Sequence, residues 1–330
     1  MDNGNEIRDF LVSRRARITP EQAGLPAYGG NRRVAGLRRE EVALLAGVSI
    51  DYYIRLERGR VAGASDSVLE GIARALHLDE AERAHLFDLA RAATGPATPR
   101  APRRPASQQV RPSVRRILES MTMTPAYVRN ARLDILAANR LGAALFAPVL
   151  ASPAQPANNA RFLFLDPAAR EFYSDWERQA QDVVAMLRTE AGHSPHDKSL
   201  SNLVGELSTR SEHFRTWWAA HNVRFHRTGV KRFHHPAVGD LTLTFEALDL
   251  AADDGLRISA YTAEPGSPSD DALKLLASWA VTLDRGDADH GVAHHGVADQ
   301  DVADHGVADH GVADHGVADQ DAGAPAPDNG

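Results

Sequence analysis

"GLRREEVALLAGVSIDYYIRLERG", residues Gly36–Gly59, holds two short helical patterns separated by one glycine, with arginines before the first and near the end of the second. Two stubby helices joined so tightly must cross at a steep angle. That crossing needs a small residue in the first helix, a turn residue that tolerates positive φ, and apolar anchors on the second. Ala43 is the small residue and Gly47 the turn. Val48, Tyr53 and Leu56 are the anchors, with Tyr53 and Leu56 sharing a face at i and i+3. Ser49 is placed to cap the second helix, and Gly59 lies just past its end.

Such a crossing is what helix-turn-helix DNA readers require. It leaves Ile50, Asp51, Ile54, Arg55 and Arg58 on the outer face, with Ile50, Asp51 and Arg55 on the side that enters a major groove. Arg55 can grip guanine O6 and N7, Asp51 can accept from cytosine N4, and Ile50 can touch a thymine methyl. The plainer alternative is an Asp51–Arg55 ion pair on a solvated helix, worth a few tenths of a kcal/mol. Arg38 and Arg39 precede the first helix and can hold phosphates beside its amides, or stand as surface charge. Arg58 is assigned to the phosphates as well. Glu40 and Glu41 suit the positive end of the helix dipole.

Outside this stretch the 330 residues have room for about two domains. With 43% hydrophobic residues the chain can bury a core, yet nothing approaches the roughly 18 consecutive apolar residues of a membrane span. The acidic start "MDNGNEIRDF" lacks a secretory apolar region, so a cytoplasmic, nucleoid-associated protein is expected. There is no cysteine, which excludes disulfides and thiolate metal sites. The net charge of −7 is uneven: Asp284–Gly330 carries −10, leaving +3 on the rest. Pro96–Arg116 has six arginines and no acid, which permits polyanion binding.

Residues 6–92 read as helical. "EIRDFLVSRRARI" places Ile7, Phe10, Leu11 and Ile18 on one side, and "SDSVLEGIARALHL" and "DEAERAHLFDLARAA" repeat the pattern. "TGPATPRAPRRPASQQVRP", with five prolines, is a linker. A mixed domain follows, with helical patterns at Ser113–Met121, Asp175–Ala191, Leu200–Ser208, Ser211–Asn222 and Ser269–Ala280. Strand patterns fall at Ala126–Asn130, Leu133–Ala138, Val230–His234, Leu241–Leu248 and Leu256–Thr262; "LTLTFEAL" alternates at period two. The tail repeats with period five and has only Val and Ala as apolar residues, too little to offset backbone ordering. Disorder is expected there, in preference to metal binding or a pentapeptide solenoid.

No catalytic residues are assigned. "HNVRFHRTGVKRFHH" spaces His221 and His226 by five, and a strand would turn His234 and His235 to opposite faces, so no metal site is expected either. No nucleophile elbow or glycine-rich phosphate loop occurs.

"GLRREEVALLAGVSIDYYIRLERGR" and the preceding "RRARITPEQAGLP" closely resemble the Cro/C1-type (XRE) helix-turn-helix domain that introduces MmyB-like transcription regulators. "RLDILAANRLGAALF", "NNARFLFLDPAAREFYSDWERQAQDVVAMLR" and "LVGELSTRSEHFRTWWAAHNV" resemble blocks of the ligand-binding domain of the same family. The resemblance spans about residues 6–282. It implies phosphate contacts at Arg39, Ser49 and Tyr52, base reading at Ile50, Asp51 and Arg55, and a pairing of Glu57 with Arg14 or Arg15. Tyr53 departs from the usual small aliphatic anchor, and its bulk should tilt the reading helix.

The implied architecture is multidomain: an all-α, five-helix, lambda-repressor-like helix-turn-helix domain over 1–93 and a Pro/Arg-rich linker over 94–112. An α+β PAS-like ligand-binding domain follows over 113–283, and a disordered tail over 284–330. The resemblance implies a small apolar ligand in the pocket, which in this family has been associated with a fatty acid; no other cofactor is expected. An apolar channel with cationic groups at its mouth would suit such a ligand. Trp176, Arg188, Phe214, Trp217 and His235 are the candidate lining, with Arg224, Arg227, Arg232 and His234 nearby. The expected partners are double-stranded DNA, the ligand and a second copy of the chain, since one such motif reads a half-site. The alternatives are a lipid carrier or sensory enzyme with an accessory DNA-binding head, or a second domain that only dimerises.

Overall fold

A computed structural model describes residues 3–25, 34–61, 63–94, 109–153, 155–223 and 227–292. Residues 1–285 cluster into one compact unit and residues 286–330 into another. Most of the repeat tail and of the linker, with Arg224 and His226, lies outside the described residues.

The amino-terminal part is helical throughout. It comprises α1 (Asn3–Arg17), α2 (Arg39–Ala46), α3 (Ile50–Glu57), α4 (Asp66–Ala75) and α5 (Glu80–Thr94). Ile7, Phe10 and Leu11 of α1 meet Val42, Tyr53, Leu56, Ile72, Leu86 and Leu89 in one core. The amphipathic phase of α1 is the cause: Ile7, Phe10 and Leu11 share one face, which also buries Arg14, and leave Arg8, Arg15 and Arg17 beside it. Ser65 caps α4 through Val68 N–H.

After α6 (Pro112–Ser120) come β1 (Ala126–Arg129) and β2 (Ile135–Ala138). Four short helices follow: α7 (Arg140–Leu145), α8 (Ala147–Leu150), α9 (Asn159–Leu165) and α10 (Ala168–Phe172). None of these four was expected. At four to seven residues each they are too short to show a helical period, and two are set by caps: Asn139 accepts from Gly142 N–H and Asn158 from Arg161 N–H. Longer helices come next, α11 (Trp176–His193), α12 (Lys198–Arg210) and α13 (Glu212–Ala219). Then come β3 (Thr228–His235), β4 (Gly239–Asp249), β5 (Arg257–Thr262) and α14 (Pro268–Val292).

The strands form one antiparallel sheet in the order β2-β1-β5-β4-β3. The fold is therefore a helical helix-turn-helix part followed by an α+β, PAS-like part. Tyr127, Phe233, Leu241, Leu243, Phe245 and Tyr261 turn to the inner face, where they join Phe146, Phe172 and the helices. Phe146 touches Tyr127, Phe233 and Tyr261 with ring centroids 4.8, 5.8 and 5.1 Å away. Each such pair is worth about 0.5–1.5 kcal/mol beyond its buried area. On the opposite face Val114 and Leu118 of α6 cover Val128 and Ile258.

Candidate functional site

The turn between α2 and α3 is built as its glycine requires. Gly47 has φ +69°, with open space where a Cβ would stand, so its backbone conformation alone explains the residue. Gly47 N–H donates to Leu44 O and Val48 N–H to Ala43 O, which closes α2. Arg38 N–H donates to Glu41 Oε2 at 2.6 Å at the start of that helix. Ser49 Oγ accepts from Tyr52 N–H at 3.2 Å, and Gly59 (φ +80°) lets the end of α3 pass against the backbone of Gly4.

Tyr53 and Leu56 are buried and Val48 is partly buried against the same core. Burial pushes the Tyr53 phenol well up, so it stays neutral. Ile50, Asp51, Arg55 and Arg58 are exposed together on the outer side of α3. Asp51 and Arg55 form no ion pair among the described residues; the Arg55 guanidinium lies over the Tyr52 ring instead, 5.3 Å from its centroid. Glu57, 1% exposed, accepts from Arg15 Nε of α1 at 2.7 Å and from Arg39 Nε of α2. Arg39 is thus drawn toward the body of the motif, while Arg38 lies outside beside Glu40.

The second site lies between the sheet and α11. A cavity of about 10 Å³ is lined by Tyr127, Arg129, Lys231, Phe245, Ser259 and Tyr261 from the strands, with Gln179, Val183 and Met186 from α11. Arg129 and Lys231 were not singled out from the sequence. Both are buried, at 5% and 8% exposure. Period-two register is the cause at Lys231: β3 points Lys231, Phe233 and His235 inward and leaves Val230 outside. The signal available in the sequence is a lysine in phase with a buried Phe. Desolvation, then the field of Arg129, lowers the Lys231 pKa to about 8, opposed by Asp182 of α11.

A larger cleft of about 630 Å³ opens between the turn after α6, the start of α7 and α14, lined by Met121, Met123, Leu141, Ala277 and Val281 with Arg140 and Lys274.

The residues expected to line the pocket line neither concavity. Trp176 donates from Nε1 to Leu163 O and carries Arg170 over its ring; Trp217 and Phe164 pack beside it. Phe214 is fully buried against Trp218. His235 pairs with Ala144 O and accepts from Ala237 N–H, an arrangement that fits the neutral ring favoured by its burial. Arg232 and His234 are exposed and paired with Asp175 and Asp240. Arg227 is exposed.

Arg188 leaves the opposite side of α11 and enters the junction with the helix-turn-helix part. At 1% exposure it donates from Nη1 to Glu6 Oε2 of α1 (2.7 Å) and to His221 Nδ1 (2.9 Å), and from Nη2 to Trp218 O. Its guanidinium sits 4.1 Å from the Trp218 ring centroid. Burial and the nearby Arg188 hold His221 at a pKa of about 4, so its Nδ1 is free to accept. Arg14 of α1 binds His221 O at 2.5 Å and Glu82 of α5 at 2.8 Å. One turn on, Gly192 of α11 is pressed against the buried ring of His85 from α5.

Among the described residues no cluster of His, Cys, Asp or Glu could hold a metal ion, and no helix is long and apolar enough to cross a membrane. In family comparisons, residues 110–276 match the model described as the MmyB-like transcription regulator ligand binding domain. Residues 14–86 match a helix-turn-helix domain. No curated protein matches the chain.

Proposed function

The chain belongs to the MmyB-like transcription regulators, and from that premise we propose that occupancy of the cavity beneath the sheet sets how tightly the helix-turn-helix part holds its operator. One observation carries this reading: α11 is a wall of the cavity on one side and the seat of the α1–α5 junction on the other. Gln179, Val183 and Met186 face the cavity, while Arg188 and Gly192 hold Glu6 and His85. The cleft beside α14 is larger, but α11 is the wall that packs on α5.

The cavity is too small for an acyl chain as it stands, so a fatty acid or similar apolar ligand enters only by displacing α11 side chains. That displacement bears on Arg188 and Gly192, and hence on α1. The α1 helix in turn grips the reading helix through Arg15 and Glu57. In this reading Ile50, Asp51 and Arg55 read bases, while Arg38, Arg39, Ser49, Tyr52 and Arg58 approach phosphates, and two copies of the chain bind paired half-sites.

A ligand shifts DNA binding only by the difference in its affinity for the two states. Typical coupling of about 1–3 kcal/mol corresponds to roughly a 5- to 150-fold change in operator affinity. The test is a titration of delipidated full-length protein with fatty acids of graded length, against an operator selected from random DNA, at fixed salt. Operator affinity that stays constant at saturating ligand sinks the proposal and leaves the second domain a dimerisation module.

A further inference from the structure

We propose that the joint between the helix-turn-helix part and the second part opens by taking up protons on His85 and His221, so that acid is an input to this regulator separate from its ligand. The inference starts from where the two rings stand. His85 belongs to α5 and is 1% exposed, between the ring of Phe10 from α1 (centroids 5.1 Å apart) and Gly192 of α11. Neither of its ring nitrogens has a hydrogen-bond partner among the described residues. His221 follows α13 and lies against α1. Arg14 donates to its carbonyl oxygen, Arg17 donates to the neighbouring Asn222, and Val223 enters the helical core. Each ring is thus covered by the other part, His85 by α11 and His221 by α1. Both are wetted when the parts separate.

Closed, the joint has room only for neutral rings. Arg188 Nη1 donates to His221 Nδ1 at 2.9 Å, which a proton on that nitrogen would forbid. A cation at His85 would have neither acceptor nor solvent, and burying such a charge is costly. Burial first, then the field of Arg188, holds His85 at a pKa of about 3 and His221 at about 4. The parted rings return to the ordinary imidazole value of about 6.5.

The charges facing the rings do not reverse this. His221 meets Glu6 and Asp9 of α1 at 3.6 and 3.9 Å, but Glu6 is engaged by Arg188 at 2.7 Å and Asp9 is half in solvent. His85 feels the guanidinium groups of Arg14 and Arg188, opposed by Asp88 of its own helix. Asp88 also pairs across the joint with His193 of α11 at 3.5 Å, which raises the His193 pKa and favours closure in acid. That pair works against opening, but His193 is 61% exposed, so solvent weakens it.

Closure is therefore indifferent to pH above about 6.5 and weakens as pH falls from there toward 4. Going from pH 7.5 to 5.5 multiplies the open-to-closed ratio about ten-fold per histidine. Two histidines give about a hundred-fold, of which His193 takes part back.

The proton's effect on DNA rests on the preceding reading, but opening itself is testable without DNA. The chain has no cysteine, so Ser67→Cys in α4 and Asn202→Cys in α12, both exposed positions, put one dye on each part of the full-length protein. Single-molecule energy transfer at fixed salt should show the low-transfer population growing ten-fold or more, relative to the high, between pH 7.5 and 5.5. His221→Gln keeps an acceptor for Arg188 but takes no charge, and His85→Phe keeps an aromatic ring against Phe10. Each should remove about ten-fold of the response, and the double variant should leave it flat or slightly reversed.

Should those variants not fold, the wild-type protein decides. Its response should begin near pH 6.5 and steepen to between one and two protons per opening. A flat ratio, an onset only below pH 5 where carboxylates titrate, or a response untouched by both substitutions overturns the inference. Acid opening with unchanged operator affinity would keep the proton-linked joint and sink the regulatory reading. Operator affinity that follows the ligand while the joint ignores acid would do the reverse.

Discussion

Arg55 and Arg58 stand one turn apart on the exposed side of α3 and should fail differently when removed. Arg55 lies over the Tyr52 ring, which holds a flexible cation in one orientation before DNA arrives. Arg58 caps the far end of the helix and acts as charge. Arg55→Ala should cost about 1–3 kcal/mol on the selected operator and relax sequence choice at one position. Arg58→Ala should weaken binding to all sequences and lower the salt slope by about one. Equal losses on operator and random DNA for both variants would remove Arg55 from base reading. Arg39 is a poorer probe of phosphate contact than it looks from the sequence, because it also neutralises the buried Glu57. Its removal would mix a DNA effect with a folding effect. At this scale the reading motif was largely legible, since Ala43, Gly47 and Ser49 act through local geometry. Arg188 and Lys231 were not, because their roles depend on what faces them from distant parts of the chain.

Helix α11 shows why elements were easier to find than their uses. Its boundaries followed from apolar spacing, but residues all around it are buried, among them Gln179, Asp182, Val184, Leu187 and Arg188. Exposed residues are few and confined to its ends, such as Glu177, Arg178, Gln181 and His193, so its middle gives no phase from which to tell a cavity wall from a docking face. The packing of α5 on α11 nevertheless makes a sharp prediction. A Cβ at Gly192 would fall 2.5 Å from a ring carbon of His85, and that ring is already wedged against Phe10. Gly192→Ala should therefore prise α5 from α11 at a cost of about 1–3 kcal/mol, since overpacking forces shifts of that order. Proteolytic cleavage in or beside the linker should quicken, and the calorimetric unfolding of the two parts should separate. A single unfolding transition at the wild-type temperature would show that the contact tolerates the methyl group. Pairing of the strands was read in outline, whereas β3 gained its inward lysine only through register with β4, where Lys231 stands opposite Leu243.

For the whole molecule the uneven charge matters most. The chain carries −7, yet without Asp284–Gly330 it would carry +3. Deleting that segment should raise affinity for random DNA, most strongly at low salt, because the remaining chain no longer repels phosphate. Fluorescence anisotropy with unrelated duplexes at two salt concentrations would read this directly; an unchanged non-specific affinity would mean the acidic segment is electrostatically remote from the DNA face. The junction between the two parts has a different consequence. The contacts that cross it include groups that water serves well: Arg188 with Glu6, Arg14 with the carbonyl oxygen of His221, and Arg17 with Asn222. Parting them exchanges ionic partners for hydration and bares little oily surface at those positions. A joint made partly of such contacts costs less oily surface on each opening than one made of packed side chains alone, with Val223 the apolar residue it would bare.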